Sequence, residues 1–112
     1  MVIKKDYLVS KRIEIGEFFG AEPEDVGVVL HEMSRADALA FEAVRTDYAK
    51  AGEFFATKLP GLIDDHDLYV DDLHKHTAED VAAIIDHRAD LFLFVMKEYL
   101  EKILFPRGKK SA

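Results

Sequence analysis

Five aspartates and three histidines fall within the thirteen residues DDHDLYVDDLHKH, positions 64–76. Residues of these types bind metals. Zinc takes three or four imidazole, thiolate or carboxylate ligands in a tetrahedron, and calcium takes a shell of carboxylate and carbonyl oxygens. The candidate ligands are His66, His74 and His76. His74 and His76 are two residues apart, which puts them on one side of a strand but not of a helix, and His66 lies eight residues before His74. No Asp-x-Asp-x-Asp-Gly spacing and no glutamate at a twelfth loop position is present, so the segment does not read as a helix–loop–helix calcium site. The plainer reading fits better. The aspartates cap helix starts and hydrate a polar joint between two helices, while Leu68, Tyr69 and Val70 pack inward from its middle.

Other groups with chemical potential are sparse. His31, at the end of a predicted strand, and His87, between the last two helices, have no nucleophile near them in sequence. Ser10 and Ser111 lie near the chain ends, and Ser34 is better placed as a helix cap. Glu32, Glu42 and Glu53 could pair with Asp37 or Asp47 as acid and base, but they read as solvated helix faces. No Gly-rich phosphate loop, nucleophile elbow or His-Glu-x-x-His helix occurs. The expectation is a protein that is not an enzyme, with no catalytic residue and no cofactor; metal binding through His66, His74 and His76 is the weaker alternative.

The bulk properties narrow the class. A chain of 112 residues with 49% hydrophobic content fits one domain with a small core. A net charge of −7 opposes binding to nucleic acid, which calls for lysine and arginine facing phosphate. There is no cysteine, hence no disulfide or thiolate chemistry. Lys4, Lys5 and Asp6 interrupt the N-terminal apolar residues, so no signal-peptide core is legible. The longest apolar run, LFLFVM at 91–96, is six residues, too short to span a bilayer. A soluble intracellular protein with no membrane partner is expected.

Periodicity supplies the elements. Ile13 and Ile15 alternate with Arg12 and Glu14, a strand pattern, and VGVVLHEM after Pro23 is a second β-branched strand, close enough to pair as a hairpin. Ser34 caps a helix carrying Leu39, Ala43, Val44 and Tyr48 inward, with Gly52 as its stop. EFFATKLPGLIDD is a second helical stretch that Pro60 should kink or split. Thr77 caps a third, with Val81, Ile84 and Ile85 as its apolar stripe. The last helix, 88–104, is apolar nearly all round in its first half, which suits either central burial or a surplus face for a partner. Phe105 and Pro106 close it. The pattern predicts an α+β fold, predominantly helical, with a short N-terminal antiparallel β-hairpin packed on a bundle of about four helices. Residues 1–106 form one domain and 107–112 a basic flexible tail.

This order of parts resembles the tail assembly chaperones of long-tailed bacteriophages and their prophage remnants. The likeness rests on the hairpin segments SKRIEIGEFFG and VGVVLHEM, on KLPGLI entering DDHDLYVDDLHKHTAEDVAAII, and on the hydrophobic last helix ending in LFP, over residues 10–106. It implies a non-enzymatic chaperone that binds and solubilises the tape measure protein during tail morphogenesis. Such a protein works in the bacterial host cytoplasm and is not a component of the mature virion. Its implied partners are the tape measure protein, the tail tube protein through a frameshifted longer form, and further copies of itself as a homo-oligomer. The family has no fixed binding residues, so hydrophobicity nominates the contact surface: Leu91, Phe92, Phe94, Val95 and Tyr99, with Phe54 and Phe55 added. The competing readings are a small helical protein-binding regulator, such as an antitoxin-like partner, and the metal-binding protein above.

The longer form can be tested on the gene. Slippage by one base backward near the 3′ end needs a run of identical bases, and Gly108-Lys109-Lys110 can be written as guanines followed by adenines. The resemblance implies a glycine codon ending in a purine; GGC or GGT at position 108 removes the slippery run and that longer product with it.

Overall fold

The computed structural model describes residues 9–104. Phe105, Pro106 and the basic tail expected after them lie outside the described residues. The first strand, β1 (Ser10–Glu14), pairs antiparallel with β2 (Gly27–His31), with Ile13 opposite Val28. Short 3₁₀ turns at Gly16–Phe19 and Pro23–Asp25 join them. Two glycines make this connection possible. A side chain at Gly16 would strike the Glu22 carbonyl oxygen at 1.9 Å, and Gly20 closes the first turn at φ 76°, where larger residues are strained. Ile13, Ile15, Val28 and Leu30 are all buried, so the alternation read from the sequence does set the inward face of the hairpin.

A third strand was not anticipated. Residues expected to end the second helix instead form β3 (Ile63–His66), antiparallel to the free edge of β2, giving the sheet order β1-β2-β3. IDDH carries no strand signal of its own; the unpaired N–H and C=O groups along β2 recruit it. The ladder pairs Val29 with Asp65 and Leu30 with Ile63, passing over Asp64. That irregularity re-aims the Asp64 carboxylate, which lies 2.8 Å from His31 Nδ1.

Four α-helices pack with this sheet: α1 (Arg35–Val44), α2 (Tyr48–Leu62), α3 (Ala78–His87) and α4 (Ala89–Tyr99), the last running into a π-helical turn at Leu100–Leu104. The caps at Ser34 and Thr77 form as the sequence indicates, each side-chain oxygen accepting from a backbone N–H three residues on, at 3.2 and 3.1 Å. Asp47 adds a cap that was not read, accepting from Lys50 N–H at 3.2 Å. It separates α1 from α2, so Gly52 is not a stop but an interior residue of α2 near the Phe92 ring. Because the break comes early, α1 buries Phe41, while Leu39, Ala43 and Tyr48, expected inward, face solvent. Val44 is half-buried.

Pro60 does not split α2. A proline inside a helix costs ~3 kcal/mol or more, largely through one lost backbone hydrogen bond and a clash with the preceding turn. Here it sits in the last turn, between the buried Leu59 and Leu62. Burying each of those leucines is worth about 1.5–3 kcal/mol, enough to carry the helix through.

The core is an aromatic junction. Phe55 of α2 is fully buried and lies 6.1 Å from Phe41 of α1 and 5.7 Å and 5.4 Å from Phe92 and Tyr99 of α4, ring centre to ring centre. Tyr99 buries its ring and donates its O–H to the His31 carbonyl at 2.9 Å, tying α4 to β2. Burial, with the nearby Glu32 charge adding to it, pushes its phenol well above the ordinary tyrosine range, so it stays a donor. No helix among the described residues is long and apolar enough to cross a membrane.

Truncating the junction should dominate any stability series. Phe55→Ala is expected to cost about 3–5 kcal/mol, against less than about 0.5 kcal/mol for Leu39→Ala on the solvent face. Urea denaturation measures both; equal effects would mean that Phe55 is not the centre of the core.

Candidate functional site: an apolar groove beside the last helix

The segment at 64–76 begins within β3 and continues as a compact hairpin-like loop. His66 is buried, and both ring nitrogens are occupied: Leu68 N–H donates to Nδ1 at 3.0 Å, and Nε2 lies 2.9 Å from the His76 carbonyl. An Nδ1 that accepts leaves the proton on Nε2, so the ring is the neutral tautomer that bridges both ends of the loop. The Asp67 carboxylate takes Arg12 at 2.7 Å and the Gly27 N–H at 3.1 Å, fastening the loop to β1 and β2. Farther out, Val70 N–H donates to the His74 carbonyl at 2.8 Å, and Asp71 accepts from the N–H groups of Leu73 and His74 at 2.8 and 2.9 Å. Lys75 reaches Asp65 at 2.9 Å.

The three histidines are therefore not brought to one point. His66 is committed to backbone, His74 turns to Asp71 at 2.9 Å, and His76 Nδ1 lies 3.8 Å from Asp80. Among the described residues, no group of three or more His, Cys, Asp or Glu side chains is placed to hold a metal. The aspartates do serve turns and ion pairs, but two parts of the expectation fail. None of Asp64, Asp65, Asp67, Asp71 and Asp72 caps a helix, since the first two lie in β3 and Thr77 is the cap of α3. Leu68 is half-buried, whereas Tyr69 and Val70 face outward and Leu73 is 84% exposed. The loop is too short to return to the core between its two backbone fastenings, so its middle projects.

Several acids outside this loop have structural partners. Glu32 accepts from Val9 N–H at 2.9 Å, Glu42 pairs with Arg45 at 3.1 Å, and Asp37 pairs with Lys58 at 3.2 Å. Asp47 is the α2 cap, and His87 is exposed at the end of α3.

The nominated contact surface lands mostly inside the protein. Leu91, Val95, Tyr99 and Phe55 are fully enclosed and Phe92 is buried. Phe54 and Phe94 are half-buried, Phe54 against Phe41 at 5.5 Å and beneath Lys58, Phe94 against Phe18 at 5.2 Å. Arg88 stabilises that second cover by donating to the Phe18 carbonyl while its guanidinium lies over the Phe18 ring. High hydrophobicity along α4 marked the helix as important without saying which way each side chain points.

Of this helix and the turn after it, Leu93 stays exposed, Leu100 is half-buried and Met96 is buried. Leu93, Met96 and Leu100 form one wall of a groove of about 710 Å³, and Tyr48, at the start of α2, stands against them. Leu93 is 50% and Tyr48 79% exposed. Arg45, Lys97 and Glu101 set the rim charges. The volume falls in the range of ligand-sized pockets, about 300–1,000 Å³, but the site is open and mostly apolar, suited to side chains of another protein. A signal for part of it was legible: 93, 96, 97, 100 and 101 are spaced as one helical face. Tyr48 could not be assigned to that face, because only the Asp47 cap turns it there.

Removing the His66 ring should loosen the loop without unfolding the helices. His66→Ala leaves Leu68 N–H and the His76 carbonyl without partners, about 1–3 kcal/mol for each, and is expected to raise the rate of proteolytic cleavage within 67–76; an unchanged rate would remove His66 as the fastening. The acid response has a definite sign. Hydrogen bonds from Leu73 N–H and the His74 ring hold the Asp71 carboxyl below the usual carboxylate range, and Lys75 does the same for Asp65. A depressed folded-state value gives stabilisation that is present above the unfolded value and is lost as pH falls through the folded one. The side-chain carboxyl carbon signals of Asp71 and Asp65 should therefore titrate with midpoints below that of an unperturbed aspartate; midpoints at or above it would contradict this.

Comparison of the chain with protein-family models, with curated proteins and with solved structures finds no match, so function has to be argued from this geometry and from the sequence.

Proposed function

We propose that the protein is a non-enzymatic assembly chaperone of the phage or prophage tail type, covering apolar stripes of the tape measure protein with the groove between Tyr48 and α4. The observation that carries the reading is that groove. It offers Leu93 and the half-buried Leu100 to a partner, on a body where Leu91, Phe92, Val95, Met96 and Tyr99 of α4 are consumed by the core. A client helix with apolar residues at i, i+3 and i+4 can lay one or two of them into such a groove. Burying two apolar side chains is worth roughly 3–6 kcal/mol before the cost of association. A single contact is thus weak, which suits a coat that must leave when the tube polymerises. The net charge of −7 keeps coated filaments soluble and apart. On this reading the chaperone acts in the host cytoplasm and is absent from the mature virion, and a frameshifted longer form would bring the tail tube protein to the complex.

Binding of the purified chain to fragments of the tape measure protein encoded beside its gene tests the proposal. Leu93→Asp, at an exposed position, is expected to weaken binding at least tenfold, about 1.4 kcal/mol, with Tyr48→Ala in the same direction. Failure of every fragment to bind, or binding insensitive to Leu93→Asp, would overturn it.

A further inference from the structure

His66 is the one buried polar or charged residue among those described, and it takes no part in the groove. It closes the ladder opposite the fully buried Val28 and joins the two ends of the 67–76 loop. Leu68 N–H donates to its Nδ1 at 3.0 Å, and its Nε2 donates to the His76 carbonyl at 2.9 Å. One ring nitrogen must accept while the other donates, and only the neutral imidazole does both. A second proton falls on Nδ1, where it meets the Leu68 N–H. Two donors then face each other with no acceptor between them, and a buried ring carries a charge.

The charged and titratable groups around the ring are committed elsewhere. On its own strand, Asp65 is taken by Lys75 of the loop at 2.9 Å and Asp64 by His31 of β2 at 2.8 Å. Asp67 is taken by Arg12 of β1 at 2.7 Å and by Gly27 N–H at 3.1 Å, and His76 has Asp80 of α3 at 3.8 Å. Protonating His31, His74 and His76 tightens their pairs with Asp64, Asp71 and Asp80, which opposes opening. Those three acids are exposed, where an ion pair contributes little, and none of the pairs gives Leu68 N–H an acceptor. We propose that His66 is an acid-sensitive catch: protonation of its ring frees both ends of the 67–76 loop, which opens while the helical core stays folded. The sign follows from where the proton can go. The opened ring, in water, holds a second proton that the closed ring has nowhere to place, so closure is present at neutral pH and is lost as pH falls through the histidine range. Leu68, packed partly against the core, enters solvent with the loop. The catch does not rest on the client reading.

Amide hydrogen exchange of the full chain, read by NMR, tests this. Between about pH 7.5 and 5.5 the protection factor of the Leu68 amide, corrected for the pH dependence of intrinsic exchange, should fall about tenfold, while that of Phe55 in α2 holds. His66→Gln carries an amide that accepts and donates without titrating, so its Leu68 protection should stay level across the same range. If that variant does not close the loop at all, the wild-type ring nitrogen shifts supply the second readout. At neutral pH they should show Nε2 protonated and Nδ1 bare, with both protonated only as Leu68 protection is lost. Wild-type protection that holds through the range, a doubly protonated ring beside a protected Leu68 amide, or an equal fall in His66→Gln would each overturn the catch.

Discussion

Phe55 lies where α1, α2 and the sheet-bound end of α4 meet, and its contacts with Phe41, Phe92 and Tyr99 organise the core around it. Aromatic pairs at these separations contribute roughly 0.5–1.5 kcal/mol each beyond the area they bury. In a domain this small there is no second core to share the task. The junction sets the rotation of α2, so that Ala51, Phe55, Leu59 and Leu62 face in and Tyr48 faces out. It sets the rotation of α4 in the same way. Tyr99 then carries the constraint to the sheet through its hydrogen bond to His31.

The groove is a consequence of that rotation. Once Leu91, Phe92, Val95 and Tyr99 are committed to the core, the opposite edge of α4 presents Leu93 and Leu100, and the Asp47 cap brings Tyr48 across from them. The π-helical turn at Leu100–Leu104 lies beside this edge while Ile103 still returns to the core. Such turns widen the helix locally and often accompany functional sites. A helix greasy on every side is thus not wholly core here, since Leu93 stays in solvent. It divides, and the division follows the position of Phe55 rather than the hydrophobicity of the residues.

The aspartate- and histidine-rich loop illustrates polar chemistry used for shape. Its side chains supply partners to backbone that neither helix nor sheet satisfies: His66 for Leu68 and His76 and Asp67 for Gly27 at part-buried positions, and Asp71 for Leu73 and His74 at the exposed tip. Leaving such groups unpaired is more costly than the net gain from pairing them, which explains why so many acids are spent on thirteen residues. The result is a stiff projection whose apolar tip is held in water.

The chain itself determined what depends on near neighbours. Ser34 and Thr77 reach backbone N–H groups three residues away, Ile13 and Ile15 alternate, and the stripe of Val81 and Ile85 repeats at helical spacing, so these two caps, the hairpin, the helix count and the α+β class were legible. The tertiary structure decided what depends on partners distant in sequence. IDDH became a strand because β2 had an unpaired edge, α2 ran through Pro60 because Leu59 and Leu62 had a core to enter, and Phe92 went inward while Leu93 stayed out. Periodicity records that a residue is apolar and which neighbours share its face. Which face meets the core is fixed by packing volume and by hydrogen-bond demand elsewhere in the fold, and neither is written locally.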